Sequence, residues 1–338
     1  MSRFNPTKIP KFLKHFITNA DNSLSGKYHL YKGKKLNFFQ VIIRLERSVI
    51  PTILPWVICI GLYGFVISLF FDYFKLFVGL RNQSGVLTNA IFAFNIGFTL
   101  LLVFRTNTAH ERFWEGRKLW GSLVNAVRNL GQGIYVTVKE QSPKDKVKKE
   151  ATIRLLVAFA VAMKLHLRAE PVDEQLASLM SEKQYLKLKD THHPPLQISL
   201  WIRDYLQYQY ERNCLDIFQL TALHNLVNEL VDILGGCERI LKTPMPLVYS
   251  IVLKQLLLVF CIILPLEIVS DLHWWTGLVT AFISFILLSI EEIGSEIEEP
   301  FGHDPSDLPL DVICNTMQRN IEELISLAPS SNEFDWRV

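Results

Sequence analysis

The stretch FRTNTAHERFWEGRKLWG, residues 104–121, begins at the last residue of a long uncharged run and changes the polarity of the chain at Arg105. The chain then continues to Val138 without a proline, and its apolar residues recur at helical spacing. These apolar residues are Phe113, Trp120, Val124, Val127, Leu130 and Ile134. The pattern predicts one nearly continuous helix, apolar over residues 86–104 and amphipathic beyond them.

Four apolar runs predict transmembrane helices. Residues 49–71, 86–104 and 272–290 are uncharged and long enough to cross roughly 30 Å of hydrocarbon. Residues 255–269 form a shorter run with Glu267, and only Ser270 and Asp271 separate it from the last run, so the pair is interpreted as a hairpin turning at these two residues. A hydrophobic content of 49% and a mean hydropathy of +0.21 also favour a membrane protein.

The charges predict the topology. Residues 1–48 carry ten Lys and Arg against Asp21 and Glu46, and a cationic flank of this kind stays cytoplasmic. We therefore expect a cytosolic basic segment 1–48, spans 1 and 2 within 49–104, a cytosolic helical region 105–254, spans 3 and 4 within 255–290, and a cytosolic tail 291–338. Only residues 72–85 and the Ser270 turn are expected outside. The first span itself is expected to direct insertion, since no signal peptide precedes it.

Several classes of function are disfavoured by composition and motifs. The five cysteines lie in predicted spans or cytosolic segments, where disulfides are not expected. The net charge of +2 comes mostly from the basic amino terminus, which indicates topology and lipid contact rather than nucleic-acid binding. No phosphate-binding glycine loop, nucleophile motif or acid–base pair is present, so an enzyme is not expected.

The rest of the chain predicts further helices and no strand, hence an all-α fold. Amphipathic helices are predicted over 151–168, 215–241 and 310–327, with breaks over 141–150, 190–195 and 300–309 and at Pro171. The pair Gly235 and Gly236 inside the second of these helices suggests close backbone packing.

Ile96, Leu100 and Phe104 are spaced four residues apart and therefore form one stripe on the second span. Packing against lipid or another helix explains such a stripe as well as a functional role does. The same span carries uncharged polar residues, which fit either helix packing or a water-filled path. They are Thr88, Asn89, Asn95 and Thr99.

Three ordered motifs carry a resemblance to a known family. They are the stretch 104–121; GGCER at 235–239 followed by TPMP at 243–246; and EPFG at 299–302 followed by DLPL at 307–310. Together they resemble the bestrophin family, and the resemblance extends from the second span to Leu310. The first 40 residues match nothing specific.

The resemblance implies a homopentamer around one central pore. In that family the second span forms a narrow apolar neck, which places the neck here at Ile96, Leu100 and Phe104. Apolar constrictions can gate by dewetting, and a ring of phenylalanines can turn its positive edges toward an anion. The matching position for a cytosolic aperture is Ile217, with Asp216 as its acidic neighbour or helix cap. A buried isoleucine is the alternative for this position.

Acidic residues after the last span suggest calcium as a possible ligand, since calcium takes six to eight oxygen ligands. Through the resemblance, the calcium clasp of animal bestrophins falls on Glu296, Glu299, Asp304 and Asp307. His303, Pro305 and Ser306 interrupt the acidic run, so a solvated turn is the competing interpretation. No histidine pair at metal-binding spacing is found on one helix face, and the histidines are expected to be surface or packing residues.

The function expected from the sequence is passive conduction of monovalent ions, chloride or other anions, through this neck. A cation-selective channel of the same type, or a membrane scaffold that conducts nothing, are the alternatives. Lipids and permeating ions are the expected contacts, and a bacterial plasma membrane is the expected location.

Overall fold

The structure is a computed structural model and describes residues 48–71 and 85–327. The predicted basic segment, the outer connection after the first span and the end of the tail lie almost entirely outside these residues. In chain order the helices are α1 (Ile50–Phe70), α2 (Gly85–Thr137), α3 (Pro143–Leu167), α4 (Glu174–Ala177), α5 (Glu182–Lys189), α6 (Pro194–Glu211), α7 (Ile217–Lys242), α8 (Leu247–Leu272), a 3-10 turn (His273–Trp275), α9 (Thr276–Ile297) and α10 (Leu310–Leu327). The described residues contain no strand, in agreement with the predicted all-α fold.

α2 is one helix of 53 residues, as the pattern around residues 104–121 predicts. At 1.5 Å per residue it is about 80 Å long, enough to cross a membrane and the helical body beyond it. Two stretches of the described residues meet the length and hydropathy expected of a span, Ile50–Phe70 and Leu247–Ile297. The second stretch contains both α8 and α9, while the side chains at the start of α2 are outside the description.

The hairpin turn lies at His273–Trp275, so the prediction of a turn at Ser270 and Asp271 is wrong. α8 includes both of those residues and begins at Leu247, well before residue 255. In the sequence this apolar run begins only at residue 255, because Lys254 is charged. In the structure the Lys254 ammonium lies 3.6 Å from Glu291 Oε1 and is accommodated within the hairpin. The Ser68 hydroxyl donates to the His273 carbonyl at 2.8 Å, which fixes the turn to the end of α1.

α1 and α9 pack closely through small residues. A Cβ atom on Gly277 would lie 3.0 Å from the Gly61 carbonyl oxygen and 3.0 Å from the Phe65 backbone nitrogen. A Cβ on Gly64 would lie 3.2 Å from the Gly277 Cα. Glycines at such a crossing let two backbones approach, which is the usual way membrane helices gain packing energy.

The helical body is built around α3, which is buried over nearly all of residues 152–165. α2, α6, α7 and α10 pack around it. α3 begins at Pro143, so the prediction of a break over 141–150 is wrong for most of that range. Ser142 and Asp145 form a capping box, and Pro143 fits the first helical turn because its missing N–H would have no partner there.

Candidate ion pathway

One face of α2 is buried within the subunit. Phe98, Leu102, Arg105 and Ala109 are each no more than 3% exposed. Phe98 stacks on Phe260 of α8 with ring centroids 5.7 Å apart, which is typical of a packed aromatic pair. This face fixes the rotation of α2 about its own axis.

The predicted neck residues lie together on the opposite face. Ile96, Leu100 and Phe104 are 56%, 52% and 55% exposed in the subunit, although all three are apolar. Val103 is also exposed, at 48%. Leu101, by contrast, is partly buried, and its carbonyl accepts a hydrogen bond from the Tyr249 hydroxyl at 2.9 Å. An exposed apolar stripe therefore runs along the last uncharged turns of α2, directly before Arg105.

The polar residues predicted for this helix divide between its two sides. Thr99 is exposed, on the side of the neck residues. Asn95 is partly buried, and its Oδ1 atom has no hydrogen-bond partner among the described residues. The side chains of Thr88 and Asn89 lie outside the described residues.

Arg105, directly after the predicted neck residues, is one of the largest buried side chains of the subunit. Its Nη1 donates to Ser250 Oγ at 2.7 Å, and its Nη2 lies 3.5 Å from Glu291 Oε1 and 3.7 Å from Glu298 Oε2. A buried charge of this kind requires partners, because desolvation of an unpaired ion is very costly. Arg105 therefore joins α2 to α8 and to the end of α9.

Arg112, two turns further along α2, makes a second junction. Its Nη2 donates to the Ile240 carbonyl at 2.7 Å, its Nη1 to the Thr243 carbonyl, and its Nε to the Glu298 carbonyl at 3.2 Å. The Glu298 side chain in turn accepts from the Met245 backbone N–H at 3.0 Å. The arginines of the first motif thus bind carbonyls and carboxylates near the other two motifs, a role that sequence reasoning did not assign to them.

α7 runs antiparallel to the polar half of α2. A Cβ atom on Gly133 would be 2.8 Å from Leu223 Cδ2, and one on Gly236 would be 3.0 Å from Leu119 Cδ1. Gly235 has open space around it, so the predicted close packing applies to Gly236 alone. The amino-terminal end of α7 therefore lies beside the far end of α2.

Ile217, the predicted aperture residue, is the first residue of α7 and is 50% exposed. The Asp216 carboxylate caps the helix by accepting from the backbone N–H groups of Phe218 and Gln219 at 2.8 and 2.9 Å. Because α7 starts near the end of α2, Ile217 is separated from the predicted neck residues by most of the polar half of α2, on the order of 45 Å. The buried alternative for Ile217 does not fit its exposure.

The acidic residues considered for calcium lie around the loop between α9 and α10. Asp307 Oδ2 accepts from the Asp304 backbone N–H at 2.7 Å, and Glu296 Oε2 accepts from the Ser306 hydroxyl at 2.9 Å. Burial of Asp307 raises the pKa of its carboxyl to about 6. Glu299 and Asp304 are exposed. Among residues 48–71 and 85–327, the one group of three side chains close enough to share a metal ion lies elsewhere in the helical body and not at this loop. Calcium binding at this loop stays a prediction.

Comparisons with known proteins agree with this architecture. The family model described as bacterial and fungal bestrophin protein matches residues 30–323. The voltage-dependent anion channel-forming protein alr2987 of Nostoc sp. is 53% identical over 301 residues, which cover 89% of this chain and 96% of that protein. The voltage-dependent anion channel-forming protein YneE of Escherichia coli K12 is 32% identical over 229 residues, covering 68% of this chain and 74% of that protein.

A crystal structure of a bacterial bestrophin homolog from Klebsiella pneumoniae superposes with a TM-score of 0.71 at 28% identity, covering 83% of this chain and all of that one. The fold and these similarities define an all-helical integral membrane protein of the channel-forming class rather than an enzyme. The chain belongs to the bestrophin family. The family resemblance inferred from the three motifs is thereby confirmed.

Proposed function

We propose that this chain is one subunit of a homopentameric channel that conducts monovalent anions passively, with the exposed face of α2 lining the path. The observation that carries the proposal is the exposure of Ile96, Leu100 and Phe104, each above half, on a helix whose opposite face is fixed within the subunit. Five-fold symmetry would convert each residue into an apolar ring. Such rings cost a passing ion part of its hydration and can control its passage.

The exposed apolar surfaces of the single subunit support assembly into an oligomer. The described residues of one subunit form an open stripe and no closed channel, so a conducting path needs several copies. Homo-oligomers generally close by rotational symmetry. Apolar residues of α1, α8 and α9 are exposed as well, as expected for surfaces that contact lipid or neighbouring copies. They include Leu54, Trp56, Leu62, Leu258, Ile262 and Phe282.

The proposed orientation has both termini and the helical body in the cytosol of a bacterial plasma membrane. It follows from the basic residues 1–48 and from an even number of spans. In this orientation the neck lies at the inner side of the membrane, and Ile217 marks the cytosolic exit. The body between these two places would surround a cytosolic vestibule.

Anion rather than cation selectivity is proposed from two considerations. A phenylalanine ring presents a positive edge, which an anion can approach at Phe104. The relatives above are named as anion channel-forming proteins. A net charge of +2 for the whole chain does not decide selectivity, since only the groups lining the path act on the ion.

Purified protein reconstituted into planar bilayers tests the function. Discrete currents with a reversal potential near that of chloride in asymmetric potassium chloride are expected, together with a pentamer by native mass measurement. A reversal potential near that of potassium would favour the cation-selective alternative. Stable protein without current would favour the non-conducting scaffold.

A further inference from the structure

Two histidines and one glutamate meet in the helical body. His166 lies in the last turn of α3, His193 directly precedes α6, and Glu238 lies near the end of α7. Both histidine Nε2 atoms hydrogen-bond to the same oxygen, Glu238 Oε1, at 2.7 and 2.8 Å. The two imidazole rings lie with their centroids 4.3 Å apart. The three potential ligand atoms all fall within 4.8 Å of one another.

We propose that His166, His193 and Glu238 form a binding site for a zinc-class divalent transition-metal ion. Two imidazole nitrogens and one carboxylate oxygen are a donor set that such ions prefer, whereas calcium and magnesium prefer oxygen ligands alone. The site is separate from the acidic loop between α9 and α10. It also does not depend on the proposed conduction path.

The two histidine–glutamate distances fit a metal ion after a small adjustment. In a tetrahedral zinc site with bonds of about 2.0–2.1 Å, neighbouring ligand atoms are about 3.3 Å apart. The present nitrogen–oxygen contacts would therefore open by about half an ångström as the ion replaces the two hydrogen bonds. The side chains of His166, His193 and Glu238 are only partly exposed, at 22%, 33% and 17%, so the ligands are already held by their surroundings.

The Glu238 carboxylate is surrounded by donors that hold it in place: it accepts hydrogen bonds from His166 and His193 at Oε1 and from Lys242 at Oε2. Lys242 contacts the other carboxylate oxygen, Oε2, at 3.0 Å and is itself mostly exposed. It can remain on Oε2 or move into solvent while Oε1 binds the ion.

The site can be reached from solvent, because all three ligand side chains are partly exposed. His166 lines a half-open cavity of about 390 Å³, which Glu170, Pro171 and His192 also line. A site with three protein ligands and one water is the arrangement found for exchangeable or reactive zinc.

The surroundings of His193 determine how tightly the site is expected to bind zinc. Its Nδ1 atom is buried and has no hydrogen-bond partner among the described residues. Metal-binding imidazoles usually donate from the second nitrogen to an acceptor, and loss of that acceptor weakens binding about 10- to 100-fold. The site is therefore an exchangeable one, and the bound ion would join α3, the start of α6 and α7.

Isothermal titration of the purified, chelator-treated full chain with zinc chloride tests the proposal. We expect one ion per subunit, and cobalt chloride should give the visible absorption of a tetrahedral cobalt site. His193→Gln and Glu238→Gln should each weaken zinc binding at least about tenfold. His166→Gln serves as a further variant if either of these fails to assemble, which size-exclusion chromatography without metal would show.

His192→Ala is the matched control, because His192 is adjacent in sequence and lines the same cavity but is not a proposed ligand. Its zinc affinity should stay within about twofold of the parent, and zinc should raise the Tm of the parent and the control by a few degrees. Absence of zinc binding by the parent, unchanged affinity in the ligand variants, an equal loss in His192→Ala, or displacement of zinc by equimolar calcium would each overturn the assignment.

Discussion

The Arg105 guanidinium lies 3.7 Å from the Glu298 carboxylate, Nη2 to Oε2, and joins the helix that lines the proposed neck to the residue that ends α9. Arg105 is 2% exposed, and Glu291 lies on the same guanidinium at 3.5 Å. Position 105 is therefore a structural junction between spans, and its charge is balanced within the subunit rather than turned toward the path.

Arg105→Met should destabilise the protein strongly, because it leaves the Glu291 and Glu298 carboxylates, whose side chains are only 7% and 13% exposed, without their main partner. Removal of one member of a buried ion pair costs about 3–5 kcal/mol. Arg239→Ala is the control: it breaks a pair with Glu115 in which both side chains are well exposed, for at most about 1 kcal/mol. Thermal unfolding of the detergent-purified assemblies measures both. Equal Tm values for the two variants would contradict the role of Arg105 as a structural junction.

Leu100→Ala and Phe104→Ala should increase single-channel current without loss of assembly, because each widens an apolar ring and admits water. Lowering a limiting barrier by about 1 kcal/mol raises flux roughly fivefold. Leu258→Ala is the matched control, since Leu258 is a leucine of equal exposure, 52%, on α8. Bilayer recordings give the comparison, and a similar increase for Leu258→Ala would show that α2 does not limit conduction.

Gly277→Ala should separate α1 from α9 and lower the stability of the assembly. The added Cβ would meet backbone atoms of α1 at 3.0 Å, and backbone cannot move aside as a side-chain end can. Gly235→Ala, where nothing lies within 4 Å, should be neutral or stabilising by about 0.5–1 kcal/mol through helix propensity. Size-exclusion profiles and Tm values distinguish the two substitutions. A Gly277→Ala protein as stable as the parent would refute the close crossing.

Asp145→Asn should lower the Tm at neutral pH by removing the ion pair with Arg212. The Arg212 guanidinium, 2.7 Å away, holds the pKa of Asp145 well below its usual range. A lowered carboxyl pKa contributes stability above the unfolded value of about 3.9 and loses it as the pH falls through the folded value. The Tm difference between parent and variant should therefore be constant from pH 8 to about 5 and close only in stronger acid. A difference that closes near pH 6 would point to another group.

Calcium binding at the α9–α10 loop should be visible by calorimetry at pH 7.5, where Asp307, with a pKa of about 6, is mainly ionised. Asp304→Ala and Asp307→Ala should abolish the heat if oxygen ligands from this loop hold the ion. Glu323→Ala, on the exposed side of α10, controls for the loss of one negative charge. Titrations without heat for the parent protein would leave the solvated turn as the explanation.

Sequence periodicity was sufficient for the long elements. The single helix through residues 104–121, the helix Leu310–Leu327 and the common side of Ile96, Leu100 and Phe104 follow from spacing alone. The turn at His273–Trp275 did not, because a hydropathy run stops at any charge and Asp271, which ends the run, lies inside α8. The start of α8 was missed for the same reason, since Lys254 is compensated by Glu291 from another helix. The start of α3 could have been found from Ser142, Pro143 and Asp145, which form a capping box.

The group at Glu238 shows the limit of reasoning from one sequence. His166, His193 and Glu238 come from three helical elements far apart in the chain, and no spacing rule relates them. Only the packing of α7 and α6 on α3 brings them together. The partners of Arg105 were hidden for the same reason, although an arginine at the end of an uncharged span was itself a signal.

The continuity of α2 has a mechanical consequence. A helix about 80 Å long, with hydrogen bonds unbroken from Gly85 to Thr137 and no proline, behaves as a stiff rod on the scale of one subunit. A twist applied at Phe104, in the proposed neck, would be transmitted to Gly133, where Leu223 touches the rod, and through α7 to Ile217. The two ends of the proposed path would thus be mechanically coupled, so that a rotation of α2 at the neck would also move Ile217.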